Sequence, residues 1–412
     1  MNSLNYFLNY SKVIGEIPTP AIIWSEEKII NNIRLYKLAL ENQEIEIRYA
    51  VKACALKLVL ETVRAEGCGV DCQSVMEAEL SLKAGIDFQK ITLNSPRLRE
   101  EEISWAIQNK IKVICDSKNQ IEIIDKLVSK LQFPKDWRYG VRVSLPIEET
   151  KRFHSKLGMD TSEILFGLEK VNPKTLSLLD EIHHHGAARE TNSCLLSKVT
   201  KELGKLANLI ENKFSVRFQK INLGSGLDSQ DIIKEAGNDL QLILHECCSH
   251  LKEQIDTKNR IIVFEPGRAI VQNSAIGLTK VISKKRIWGK DIIVVDISTN
   301  VLIPSPLEKF CVWHPNFNKS KTENLSEFVV VDGTCSPTGV IVESVKLPTI
   351  NEGDMLWIGL SGAYTWSLAQ SFYDYIPSAW WLDKQGVIKQ IVDRENNKKM
   401  AFYINGFEND MI

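Results

Sequence analysis

Short apolar or β-branched runs recur along the first two thirds of the chain: Ile47 to Val51, Gly69 to Cys72, Ile91 to Asn94, Ile111 to Cys115, Tyr139 to Val143, Glu181 to His184, Lys220 to Leu223 and Ile261 to Glu265. Between most of them lie stretches whose apolar positions return every three or four residues, such as Ser74 to Ala84, Arg97 to Asn109, Asn119 to Leu131 and Leu195 to Asn212. The first pattern is that of buried strands and the second that of amphipathic helices. Eight strands alternating with helices over roughly 240 residues predict an α/β fold, a (β/α)8 barrel. A doubly wound open sheet is the alternative, because alternation does not by itself show closure.

After Arg268 the texture changes. Ala275 to Ile282, Asp291 to Ile297, Glu327 to Asp332 and Met355 to Leu360 are β-rich runs separated by glycine, proline and asparagine turns. They predict a second, mostly β domain (a β-barrel or sandwich) over residues 269–412, with the barrel over 21–268. The breaker cluster Ile17-Pro18-Thr19-Pro20 precedes the apolar Ala21-Ile22-Ile23-Trp24, and Ser25-Glu26-Glu27 then opens a helix by cap chemistry. A strand ahead of the first helix has no place in such a barrel, so residues 1–20 are expected to join the β domain.

Composition narrows the class. A chain of 412 residues with 44% hydrophobic content is large enough for two globular domains. The 51 basic and 52 acidic residues are evenly mixed, which gives no footprint for nucleic acid. No apolar span is long enough for a membrane helix, and Met1 to Phe7 lacks the basic lead of a secretory signal. Nine cysteines without paired spacing read as reduced thiols in a cytoplasmic protein.

The ends of the proposed strands carry the candidate chemistry. Arg48-Tyr49-Ala50-Val51-Lys52 puts a lysine at the end of the first barrel strand, where a barrel presents its reactive groups and where a lysine can form a Schiff base. A lone lysine there is commonly an ordinary surface charge. The second strand ends at Asp71, with Ser74 and Glu77 opening the next helix; the fifth carries Arg142 and the sixth His184. The seventh runs into Gly224-Ser225-Gly226, and the eighth into Glu265-Pro266-Gly267-Arg268. Gly-Ser-Gly and Pro-Gly are each common turns, and a lone histidine is usually a satisfied polar residue. Placed together at one rim, a glycine loop and the arginine of the next loop form a phosphate cradle. Two metal-like patterns are set aside. His183-His184-His185 alternates faces on a strand, and His245 and His250 are five apart rather than the four that pairs zinc ligands on a helix. No metal site is expected.

With these motifs on the page, the chain resembles the pyridoxal-phosphate decarboxylases of the alanine-racemase-like fold, the group of diaminopimelate, ornithine and arginine decarboxylases. The resemblance rests on Tyr49-Ala50-Val51-Lys52-Ala53, Val70-Asp71-Cys72-Gln73-Ser74 with Glu77, Asn222-Leu223-Gly224-Ser225-Gly226, Glu265-Pro266-Gly267-Arg268, Gly333-Thr334-Cys335 and Gly362-Ala363-Tyr364-Thr365. Six motifs in the family's order are a specific signature. The resemblance implies pyridoxal 5'-phosphate on Lys52, Glu265 beside its pyridine nitrogen, His184 stacked on the ring, and Arg268, Gly224 to Gly226 and Tyr364 around the phosphate. Asp71, Arg142 and Gly267 match positions whose separate roles the sequence leaves open. It also implies a homodimer in which Cys335 of the second subunit protonates the product carbanion; the plainer reading of Cys335 is a structural cysteine.

Departures from the family bear on the substrate. Acidic residues usually follow the cysteine and contact the distal ammonium of a diamino acid, whereas this chain has Cys335-Ser336-Pro337-Thr338-Gly339. After the histidines comes Gly186-Ala187-Ala188 in place of the family's Gly-Ser, which removes one phosphate hydroxyl, and the usual Phe-Asn is Phe372-Tyr373. The expectation is therefore a small-molecule amino acid, modified or conjugated, in a siderophore or natural-product pathway, with Cys335, Ser336 and Tyr364 at the substrate. Asp332, Glu308 and Glu343 are the acids that could replace the missing ones. Alternatives are decarboxylation of free diaminopimelate, ornithine or lysine, an amino-acid racemase or epimerase, and a non-catalytic regulatory homologue.

Overall fold

The computed structural model describes residues 2–39, 44–130, 134, 136–147, 156–186, 188–302, 310–315 and 325–407. The chain divides into two compact units, residues 30–270 and residues 1–29 with 271–412.

The first strand, β1 (Ala21–Ser25), is followed by β2 (Ile45–Ala50), β3 (Gly69–Cys72), β4 (Ile91–Asn94), β5 (Lys112–Cys115), β6 (Tyr139–Arg142), β7 (Leu179–His183), β8 (Lys220–Asn222) and β9 (Ile261–Phe264). Strands β2 to β9 pair in parallel in chain order, and β9 returns to β2. The barrel is closed, so the open-sheet alternative falls. Each strand is short and mostly buried, and several of the connecting helices are capped by their own side chains. Ser74 accepts the Glu77 amide at 3.2 Å while the Glu77 carboxylate accepts the Gln73 amide at 2.8 Å, a reciprocal cap in which the serine contributes about 1 kcal/mol.

The sequence boundary put Ala21–Ser25 in the barrel, but β1 pairs antiparallel with β10 (Ala275–Ile287) and parallel with β16 (Ser378–Leu382) in the other unit. All five of its residues are buried, so it needs a partner on each edge and cover on both faces. Strands β11 (Lys290–Val295), β12 (Cys311–Trp313), β13 (Ser326–Asp332), β14 (Val340–Leu347), β15 (Met355–Gly359) and β17 (Ile388–Val392) complete that sheet. Its order is β14-β13-β11-β10-β1-β16-β17, with β15 bridging β10 and β12. Ile23, Ile276, Leu278, Trp357 and Leu382 pack with Leu4, Phe7 and Ile14 in one of its buried clusters. Each such side chain contributes about 1.5–3 kcal/mol by leaving water.

The interior of the barrel unit is polar where barrels are commonly apolar. Arg48 on β2 forks onto Glu181 on β7, Nη1 to Oε1 at 2.6 Å and Nη2 to Oε2 at 2.9 Å. Strands β2 and β7 are not neighbours, so this pair spans the lumen. Lys112 on β5 donates to Glu181 at 3.0 Å and to Asp180 at 2.7 Å, and Lys220 on β8 pairs with Glu46 on β2. Gly140 on β6 makes room for the pair, since a Cβ there would lie 2.9 Å from that of Glu181. Arg48 and Glu181 have almost no contact with water. Such a pair adds little net stability, whereas removing one partner alone costs about 3–5 kcal/mol.

Candidate active site

Lys52 lies in the 3-10 turn Val51–Ala53 directly after β2, and its Nζ is 3.7 Å from Asp71 Oδ2 on β3. The Lys52 side chain is 31% exposed and Asp71 is buried, so a substrate can reach the amine while its counter-charge stays dry. Asp71 Oδ1 is buried with no hydrogen-bond partner. Burial and the charge of Glu265 push the Asp71 carboxyl up, against the opposing pull of Lys52, His183 and Arg142.

Glu265 follows β9 and is anchored at both ends. Its amide donates to the Gly224 carbonyl at 2.7 Å, and its Oε1 accepts the Asn222 side-chain amide at 2.6 Å. Its Oε2 lies 3.0 Å from His183 Nε2, an ion-pair distance without the alignment of a good hydrogen bond. Burial would raise this carboxyl, but His183, Arg48 and Asn222 together hold it well below the usual range. It is an ionised carboxylate in a dry site.

The three consecutive histidines divide by strand parity. His183 faces Glu265, and the His185 ring lies among the charges of Lys52, Arg142 and Glu265. His184, the residue expected on the ring face, points the other way, with Nδ1 2.8 Å from the Val143 carbonyl and a buried Nε2 without a partner. The reason is the two-residue period counted from Glu181, which already faces the lumen. Burial pushes the His184 imidazole down to about 3, and the His185 imidazole also sits well below its ordinary value, through burial and the nearby Lys52 and Arg142.

Arg142 is held by Asp116, Nη1 to Oδ1 at 3.5 Å, and donates to the His185 carbonyl at 3.3 Å. The glycine loop follows β8. Gly224 and Gly226 have φ of 62° and 96°, and a Cβ on Gly224 would come within 2.6 Å of the His184 carbonyl oxygen. Ser225 is buried, its Oγ 3.3 Å from the Tyr36 hydroxyl. A Cβ on Gly267 would lie 3.1 Å from those of Ala50 and Ala53, a close approach of this loop to the Lys52 turn. Arg268 Nε is 3.6 Å from one oxygen of Asp228, and Arg189 Nε is 3.5 Å from the other.

Among the residues proposed from sequence, Lys52, Asp71, Arg142, Gly224, Ser225, Gly226, Glu265, Gly267 and Arg268 lie in the barrel unit on β3, on β6 or in the segments after β2, β8 and β9. Cys335, Ser336 and Tyr364 belong to the β unit. Cys335 is exposed in the turn between β13 and β14, and Tyr364 has a left-handed φ of 64° at the start of the helix Thr365–Leu368. Glu308 and Ala187 lie outside the described residues. Sequence reasoning gave no role to His183, His185, Asn222 or Arg189 and did not find the Arg48–Glu181 pair. Strand parity was the available signal for the histidines; nothing local in sequence links Arg48 to Glu181.

Donor atoms of His183, His185 and Glu265 lie within 4.8 Å of one another. The charges of Lys52 and Arg142 beside His185 oppose a bare cation there.

Comparison with known proteins supplies the context. The model of the family described as "Pyridoxal-dependent decarboxylase, pyridoxal binding domain" matches residues 26–272. The diaminopimelate decarboxylase of Methanothermobacter thermautotrophicus is 25% identical over 398 residues, 93% of this chain and 91% of that protein. A probable chloroplastic diaminopimelate decarboxylase of Oryza sativa is 24% identical over 399 residues, 94% of this chain and 80% of that protein. In fold, the chain resembles Helicobacter pylori diaminopimelate decarboxylase complexed with L-lysine, with a TM-score of 0.80, 20% identity and coverage of 96% of this chain and 100% of that one. It also resembles the Paramecium bursaria Chlorella virus arginine decarboxylase bound to agmatine, with a TM-score of 0.79, 18% identity and coverage of 92% and 99%.

Buried histidines give the fold an acid limit. An unfolded imidazole titrates near about 6.5, while folded His184 refuses the proton down to about 3. Stability therefore falls as pH drops below about 6.5, by about 1.4 kcal/mol per pH unit for one such histidine. His184→Asn keeps an N–H for the Val143 carbonyl and removes the titration. Denaturant unfolding at pH 7.5 and 5.5 is expected to show a smaller acid loss in His184→Asn than in the wild type, by about 1 kcal/mol. Equal losses would contradict the account.

Proposed function

We propose, from the premise that the chain belongs to the pyridoxal-dependent decarboxylases, that it removes the α-carboxyl group of an amino acid whose distal end presents no free ammonium, a modified or conjugated amino acid. Pyridoxal 5'-phosphate is the cofactor of this family and amino-acid decarboxylation its reaction class.

The residues present fit that cofactor. The Gly224-Ser225-Gly226 loop leaves no room for a Cβ at Gly224, and Arg268 and Arg189 bring two guanidinium groups to Asp228, two residues beyond Gly226. A glycine-lined loop with cationic neighbours suits a phosphate. Asp71 Oδ1 is a buried acceptor with no partner of its own, ready for a polar group of a ligand. When bound, pyridoxal phosphate supplies an electron sink for the pair left at Cα as CO2 departs.

The chain's own residues do the remaining work. Lys52 presents the amine that holds the cofactor, with Asp71 as its counter-charge. Glu265 keeps its negative charge where the ring nitrogen is to be met, which favours a protonated nitrogen. His185, rather than His184, faces Lys52 and Glu265 and takes the place assigned to the stacked ring. Cys335 offers an exposed thiol for proton delivery, reaching the Lys52 of another chain in a homodimer.

The substrate reading rests on one observation above others. The turn Cys335-Ser336-Pro337-Thr338-Gly339 carries no acid, and the nearest carboxylate is already spent. Asp332 Oδ2 accepts the Thr299 amide at 2.7 Å and hydroxyl at 2.6 Å, and its Oδ1 accepts the Thr334 amide at 2.9 Å and hydroxyl at 2.6 Å. A carboxylate with four hydrogen bonds has little capacity left for an ammonium. Glu343 is on an exposed stretch of β14. The second reading is decarboxylation of free diaminopimelate, favoured by the names of the relatives above.

Steady-state CO2 release distinguishes the two. Free ornithine, lysine and meso-diaminopimelate are expected to turn over at least about a hundredfold less efficiently than N-acylated or peptidyl-linked analogues, because an unmatched buried ammonium costs several kcal/mol. Efficient turnover of any free diamino acid with no gain for the conjugates would support the second reading instead.

Mixing addresses the homodimer. Lys52→Ala and Cys335→Ala chains, inactive alone, are expected to regain activity when subunits exchange, since one of the two shared sites would then hold both residues. A mixture that stays inactive despite demonstrated exchange would show that Cys335 does not act across subunits.

A further inference from the structure

Asn222 is a two-sided clamp. Its side-chain N–H groups donate to Glu181 Oε1 at 2.9 Å and to Glu265 Oε1 at 2.6 Å, while its Oδ1 accepts the Gly224 amide at 2.9 Å. That third bond fixes the amide's orientation, because a flipped side chain would set its carbonyl against two carboxylates. Glu181 is in turn gripped by the Arg48 fork and Lys112. A continuous chain of charge-assisted bonds thus runs Glu46–Arg48–Glu181–Asn222–Glu265 across β2, β7, β8 and the segment after β9.

We propose that the Arg48–Glu181 pair, acting through Asn222, is a positioning device that fixes the orientation of the buried Glu265 carboxylate. The proposal rests on the assignment of Glu265 to the cofactor's ring nitrogen.

Glu265 is faced by His183 and His185 from β7 and its following turn, by Asp71 from β3, by Lys52 and Arg48 from β2 and its turn, and by Asn222 from β8. Asp71 is the other carboxylate of this dry site, and each charge makes the other harder to keep. Asn222 donates to Glu265, whereas Asp71 Oδ1 has no donor, so Asp71 takes up a proton at higher pH than Glu265 does. Arg48 contributes twice. Its charge favours ionised Glu265 directly, and its fork keeps Glu181 an acceptor that holds the amide in place.

The test pairs Arg48→Met with Glu181→Leu, which removes both charges together and avoids an orphaned ion. Two readouts are followed against pH, neither of them turnover. One is the 15N shift of ring-labelled pyridoxal phosphate in the loaded protein; the other is the 13C titration of the Glu265 carboxyl in the unloaded protein. In the double variant the ring-nitrogen midpoint is expected to fall and the Glu265 midpoint to rise, each by about one pH unit, the effect of weakening one charge-assisted hydrogen bond. Arg48→Lys, which keeps the cation, is expected to recover much of the shift.

Wild-type midpoints in the double variant, with only thermal stability changed, would overturn the proposal and leave the pair structural. If the double variant does not fold, Asn222→Ser carries the same two readouts with the same meaning. A ring nitrogen indifferent to Glu265→Gln would overturn the cofactor assignment instead, and the Glu265 midpoint in unloaded protein would still decide the network.

Discussion

An ionised carboxylate inside a closed barrel is the constraint around which this site is built. Glu265 has almost no contact with water, so its charge persists only because Asn222, His183 and Arg48 replace the lost solvation. Each of those groups needs support in turn. Asn222 is held by Glu181 and the Gly224 amide, and Glu181 by Arg48 and Lys112. The polar interior, unusual for a barrel, is the framework that lets the rim carry a charged group without solvent.

The same framework connects the candidate cofactor groups to one another. The amide of Glu265 donates to the Gly224 carbonyl, and the Ala50 amide donates to the Pro266 carbonyl at 3.2 Å, so the segments after β2, β8 and β9 are tied at the rim. Gly224 and Gly267 allow that approach because no Cβ intervenes. Lys52, the glycine loop and Glu265 are therefore positioned by shared backbone bonds rather than by separate loops, the rigidity that a preorganised site requires.

Much of the barrel was legible because its strands are short apolar runs between turn residues; Gly69–Cys72 and Ile91–Asn94 are read from sequence with the bounds they have in the structure. β1 was misplaced because an apolar run shows that a strand is buried, not which sheet buries it, and its partners β10 and β16 lie more than 240 residues further along, as the register of Ala21 with Leu278 and Ser378 shows. The facing of the histidines was misread for a different reason. Glu181 interrupts the apolar pattern, and its inward orientation is explained by partners far off in sequence, Lys112, Asn222 and above all Arg48, 133 residues away. Asp332, weighed as a substrate acid, proved to be committed to Thr299 and Thr334, a fact of side-chain geometry that no local pattern encodes.

The central claim is that this rim is a pyridoxal phosphate site organised on Lys52. Borohydride reduction of the loaded protein followed by peptide mapping tests it most directly. The account predicts a single stable pyridoxyl adduct, on Lys52 within Tyr49-Ala50-Val51-Lys52-Ala53, and its loss in Lys52→Ala. An adduct on any other lysine, or none despite saturating cofactor, would contradict it.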